Sequence, residues 1–234
     1  MEMSMIISFA IIALWWFCLT LPLLKTYKQK YYVERQPKAI SNSFKRLGTT
    51  LKNIRKEKKI FLFLLAFFFY IDGVYTIIDM ATAYGTALGF ESTSLLLALL
   101  LTQVVAFPFA ILFGRLATSK LIVICILAYL GISIFAIFLT KQWQFWVLAI
   151  LVGMFQGGIQ SLSRSYFTKI IPLEKSGEYF GLMDVCGKGA SFLGTTVVGV
   201  LSQATGQINL SLGALSVFFM LGIVFFKMSE KREG

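Results

Sequence analysis

Residues 60–83 read IFLFLLAFFFYIDGVYTIIDMATA. Apart from Asp72, Thr76, Asp79 and Thr82, the stretch is apolar, aromatic or glycine. About 20 residues rising 1.5 Å each cover the ~30 Å of bilayer hydrocarbon, so this stretch predicts a membrane-spanning helix. Working outward, six more stretches of similar length and character lie at 5–24, 94–114, 121–140, 143–162, 179–202 and 208–226. Each is flanked by a charge or a turn signal. The composition agrees: 57% of residues are hydrophobic and 14% charged, where a soluble domain holds about 45–50% and about 25%. The fold class read from this is all-α and integral to a membrane, with seven spans. The first stretch starts with an acidic Glu2, runs about 20 residues and ends in Leu24-Lys-Thr-Tyr-Lys28. A signal peptide has a basic start and a shorter core, so residues 1–24 read as a true span.

Lysine and arginine set the orientation. The segment 25–59 carries twelve of them, which makes it cytoplasmic. Alternation then places Arg115, Lys120, Arg164, Lys169, Lys175, Lys227, Lys231 and Arg232 inside as well, and only Lys141 outside. Lys188 is left within a span. The N-terminus is expected outside and the C-terminus in the cytoplasm. Within the basic segment, Phe44, Leu47, Leu51 and Ile54 recur at i, i+3, i+7 and i+10. That spacing makes one apolar face on a basic helix, suited to the inner membrane surface. The same segment also reads as a solvated tether.

The net charge of +11 follows the topology, so it points to anionic headgroups of the lipid bilayer and not to nucleic acid. There is no histidine, which removes the commonest general base and zinc ligand. Cys18, Cys125 and Cys186 sit in apolar runs, with no metal or disulfide spacing. Ser161, Ser163 and Ser165 have no base partner. No Walker-type glycine loop occurs. The chain reads as neither an enzyme nor a cofactor protein, and no metal site is expected.

Charged groups in hydrocarbon cost about 2.5–3.5 kcal/mol on insertion scales. Asp72 and Asp79 are seven residues apart, with Tyr75 and Thr76 on the same face. This stripe reads as a substrate or proton site, or as a packing network. Asp184 and Lys188 stand at i, i+4 in the favourable acid-before-base order, either as a self-neutralising pair or as a gating pair. Gln156, Gln160 and Arg164 form another i, i+4, i+8 series, and Gln103 lies in the third span. Amides of this kind often tie helices together. Gly187, Ser191, Thr195 and Gly199 make a small-residue stripe, and Gly153 with Gly157 a GxxxG step, both suited to close helix packing.

Two stretches carry a family resemblance. Residues 70–85, YIDGVYTIIDMATAYG, resemble the seventh helix of the vacuole-effluxer-like branch of the major facilitator superfamily. Its pattern is close to Tyr-x-Asp-Gly-Val-x-Thr-Ile-x-x-Met-Ala-x-x-Tyr-Gly. Residues 157–194, GGIQSLSRSYFTKIIPLEKSGEYFGLMDVCGKGASFLG, resemble the connection of that branch's tenth and eleventh helices. The branch includes fungal vacuolar amino-acid exporters and many bacterial members without an assigned substrate. The resemblance implies that 1–24 is the last helix of the N-terminal half, 25–59 the central cytoplasmic loop and 60–234 the six-helix C-terminal half. Asp72 matches the branch's acidic position, while Asp79 falls where members often carry another residue. Residues 114–120, GRLATSK, are similar to the superfamily's Gly-x-Leu-Ala-Asp loop but lack its aspartate.

The function implied is transport of a small polar solute, amino acids among the candidates, across a bacterial inner membrane, with protons as a suitable coupling ion. Such transporters rock two six-helix halves around a midplane site. The missing helices imply a partner chain or a homo-oligomer. A non-transporting remnant or scaffold half is the alternative.

Overall fold

The computed structural model describes residues 2–28, 39–116 and 118–231. Lys30, Arg35, Lys38 and Arg232 lie outside the described residues, as do the side chains of Phe44, Arg46 and Leu47. Among the described residues every regular element is helical, and seven helical stretches are long and apolar enough to cross a membrane. The protein is an all-α integral membrane protein. The chain divides into two units, Met1–Ile40 and Ser41–Gly234.

The first unit holds α1, Glu2–Thr26. It is apolar all round, and its large side chains are exposed along the whole length. A helix without a polar stripe is at home in lipid on every side. Pro22 lies in its last turns, where little of the hydrogen-bond ladder remains to be broken.

Helix α2, Ala39–Ile54, crosses from the first unit into the second, which continues with α3, Lys58–Ala87, and α4, Ser92–Leu116. Next come α5, Ser119–Ile137, and α6, Gln142–Ile170. A 3₁₀ turn, Leu173–Lys175, leads into α7, Ser176–Thr205. The last span is split into α8, Ile208–Gly213, and α9, Leu215–Glu230. The expected basic helix exists as α2, so the tether reading does not hold over these residues. Of its apolar face, Ile54 is 2% exposed and Leu51 is 54% exposed. Thr50 Oγ1 donates to Glu178 Oε2 at 2.6 Å and ties α2 to the start of α7.

Helix α3 is the most enclosed span and packs on α9 and α7, while α4 packs on α6 and α5 joins α6 to α8 and α9. The cross-links sort to two ends, as an up-and-down path requires. At one end Ser229 Oγ donates to the Lys59 carbonyl at 2.9 Å, and Tyr179 OH reaches Glu57 Oε1 at 3.3 Å. At the other, Tyr84 OH donates to the Ala136 carbonyl at 2.6 Å, Asn209 Nδ2 to the Leu139 carbonyl at 3.0 Å, and Trp146 Nε1 to Ser94 Oγ at 3.0 Å. Helix α7 stops where Gly206 adopts a left-handed φ of 68° and its N–H caps the Ser202 carbonyl at 2.9 Å.

One boundary differs from the sequence expectation in a way that matters. The sequence reading ends the fifth span at residue 162. Instead α6 continues to Ile170, which keeps Arg164 on a helix surface facing α7. The apolar run ends first, but the helix's own backbone hydrogen bonds carry it on to Ile170.

Candidate functional site

Asp72 sits in the middle of α3 and is fully buried. Its Oδ1 accepts the Gly194 backbone N–H of α7 at 2.9 Å. Thr76 Oγ1, one turn on, stands 3.5 Å from the same oxygen, at the outer limit of a hydrogen bond. That Gly194 N–H is available to a side chain because α7 approaches α3 here without a Cβ in the way. A Cβ on Gly194 would lie 2.8 Å from Asp72 Oδ1. The second carboxyl oxygen, Oδ2, is buried and has no hydrogen-bond partner. Buried polar atoms are nearly always satisfied. The half-satisfied carboxyl therefore sets Asp72 apart from the apolar residues around it on α3.

The next turn of the stripe leads to open space. Tyr75 is half-buried and lines a cleft of about 90 Å³ between α3, α6 and α7. Gln160 and Arg164 line it from α6, and Asp184 and Lys188 from α7. Arg164 Nη2 donates to Asp184 Oδ1 at 2.7 Å, with the two side chains 59% and 47% exposed. This corrects the expected Asp184–Lys188 pair: among the described residues the partner of Asp184 is Arg164. Helices α6 and α7 run antiparallel, which brings Arg164 across from Asp184, and the guanidinium's fork of donors suits a carboxylate better than a single ammonium does. Asp79 is exposed on α3 and does not line the cleft.

The small residues divide. On α6, a Cβ on Gly153 would meet the Thr102 carbonyl at 2.7 Å, and one on Gly157 the Ala110 Cβ at 2.8 Å. These two seat α4 directly on α6, where Thr102 Oγ1 also donates to the Ala149 carbonyl at 3.2 Å. On α7, Gly187 is buried at ordinary contact distance from Phe67. Ser191 and Thr195 are partly exposed, and Thr195 Oγ1 donates back to the Ser191 carbonyl at 2.6 Å. Gly199 faces open space. The close approach of α7 runs instead through Ala190, Gly194 and Val198, all buried. Gly194 was missed because its partner, Asp72, is distant in the chain; a glycine inside an otherwise apolar span was the only signal.

A second cavity, of about 50 Å³, lies among α3, α4, α5, α6 and α8. It is walled by apolar side chains such as Ile77 and Leu148, with Gln103 and Gln156 on its lining. Gln156 Oε1 is buried without a partner. The series Gln156, Gln160, Arg164 thus runs along α6 from this apolar cavity into the polar cleft. Tyr70 OH and Ser163 Oγ, 2.6 Å apart, hold α3 to α6 behind it. Among the described residues, no three His, Cys, Asp or Glu side chains are grouped to hold a metal ion.

The sequence matches the family described as "Vacuole effluxer Atg22 like" over residues 1–234. It is 47% identical over 222 residues to the "Uncharacterized MFS-type transporter YxiO" of Bacillus subtilis, covering 93% of this chain and 52% of that protein. It is 28% identical over 218 residues to "Autophagy-related protein 22-2" of Penicillium rubens, covering 82% of this chain and 35% of that protein. With "Autophagy-related protein 22-1" of Aspergillus niger the identity is 24% over 252 residues, covering 96% and 41%. The chain spans about half the length, or less, of these relatives.

Proposed function

The chain belongs to the vacuole effluxer Atg22-like family, and on that premise we propose that it moves a small polar solute across the membrane through the cleft between α3, α6 and α7. One observation carries this reading. Five polar side chains (Tyr75, Gln160, Arg164, Asp184 and Lys188) line one opening in an otherwise apolar bundle. Hydrocarbon does not tolerate such a group, and a water-filled solute path does. Amino acids are the class to try first, by analogy with the family resemblance. Asp72, buried behind the cleft and half-satisfied, is the residue on which transport depends.

Residues 1–24 then form one span, 25–59 a cytoplasmic basic segment and 60–234 a six-helix body. The basic ends of the helices face the cytoplasm, and the membrane is a bacterial plasma membrane. Alternating access needs a second body opposite the cleft. It is supplied by a second copy or by residues outside these 234.

The test is counterflow of a labelled amino-acid mixture in proteoliposomes holding the purified chain, with Asp72→Asn in parallel. Transport by the wild type that Asp72→Asn abolishes supports the reading. No transport by folded chain, alone or with the remaining segment of a longer relative supplied in trans, overturns it.

A further inference from the structure

We propose that Lys188, Gln160 and Tyr75 form a carboxylate-binding subsite in the cleft. This deepens the solute-path reading of that cleft and rests on it. Helices α6 and α7 run antiparallel along the cleft, and their polar residues line it in two rungs. The lower rung, Arg164 across from Asp184, is closed by its 2.7 Å ion pair. The upper rung lies one helical turn away on each side, about 6 Å along the axes. It holds Gln160 on α6 and Lys188 on α7, and both line the cleft together with Tyr75 of α3. All three side chains bring hydrogen-bond donors, and among the described residues none makes a side-chain hydrogen bond or ion pair.

The charge balance points the same way. The cleft holds two cations, Arg164 and Lys188, and one anion, Asp184. Asp184 is taken by Arg164, so one positive charge is left over at the upper rung. Lys188 lies within the 30-residue α7, one turn further along the helix than Asp184. A cation there requires a counter-charge. An ammonium beside an amide and a phenol matches a planar carboxylate, which accepts through two oxygens. Phe67, Ile71 and Met183 wall the remainder of the cleft. These walls suit an apolar ligand body, of which an aliphatic chain is the simplest.

Small aliphatic carboxylates come from two sources: amino acids and simple carboxylic acids. Isothermal titration of the full chain in nanodiscs with leucine, 4-methylpentanoate, leucinamide and 3-methylbutylamine separates them. The two acids are expected to bind at least about tenfold more tightly than the amide or the amine. Lys188→Gln should erase that preference, and Lys188→Arg, which keeps the cation, should retain it. Binding of leucine alone among the four assigns the subsite to amino acids, and binding of both acids to carboxylates in general. Equal binding of acid and amide overturns the proposal. So does no binding by a chain whose helical circular dichroism is intact, and then the counter-charge of Lys188 belongs to protein. Carboxylate-selective binding without counterflow would overturn the transport reading and leave this subsite standing.

Discussion

The Asp72 carboxyl combines a hydrogen bond that holds two helices with an oxygen that holds nothing. Its Oδ1 takes the Gly194 N–H, while Oδ2 is buried and alone. Asp72→Asn keeps an acceptor for Gly194 and removes an uncompensated buried charge. Its unfolding temperature in detergent is expected to equal or exceed the wild type, even as counterflow is lost. Gly194→Ala should do the reverse of stabilising. Its Cβ falls 2.8 Å from Asp72 Oδ1, in a site with no slack, and overpacking of that kind costs about 1–3 kcal/mol. The sequence made Asp72 conspicuous because charge in an apolar run is rare. It did not reveal Gly194, nor that Arg164 and not Lys188 neutralises Asp184. Those partners lie 122 and 20 residues apart in the chain. A pattern rule that looks three or four residues along one helix cannot see across an interface.

Among the elements, the span interiors were legible because an apolar run of about 20 residues has one stable environment. The helix ends were not, since backbone hydrogen bonding continues past the apolar run. That is why α6 carries Arg164 on its surface up to Ile170. Small residues show the same division. Gly153 and Gly199 both stand in small-residue patterns of the sequence, yet only Gly153 abuts backbone, at 2.7 Å from the Thr102 carbonyl. Gly153→Ala should lower stability by about 1–3 kcal/mol, because a carbonyl of α4 cannot step aside. Gly199→Ala, with open space around it, should raise stability by up to about 1 kcal/mol through helix propensity. Urea or thermal unfolding of the two variants side by side reads the difference.

For the whole molecule, the basic helix ends predict which face meets the cytoplasm. In a chain with Cys18, Cys125 and Cys186 changed to alanine, a cysteine placed at Glu91 should react with an impermeant maleimide on intact cells. One placed at Glu174, in the turn before α7, should react only after permeabilisation. The opposite pattern would invert the molecule in the membrane. The six-helix body has a further property that the helix order hides. Ser229 hydrogen-bonds the Lys59 carbonyl at 2.9 Å, so the body finishes beside the point where it starts. The bundle is in effect a ring with one open link. A short Gly-Ser joint from Lys231 to Lys58, with a new opening at the exposed turn around Gly89, should give a circular permutant that begins at α4 and keeps the same interior.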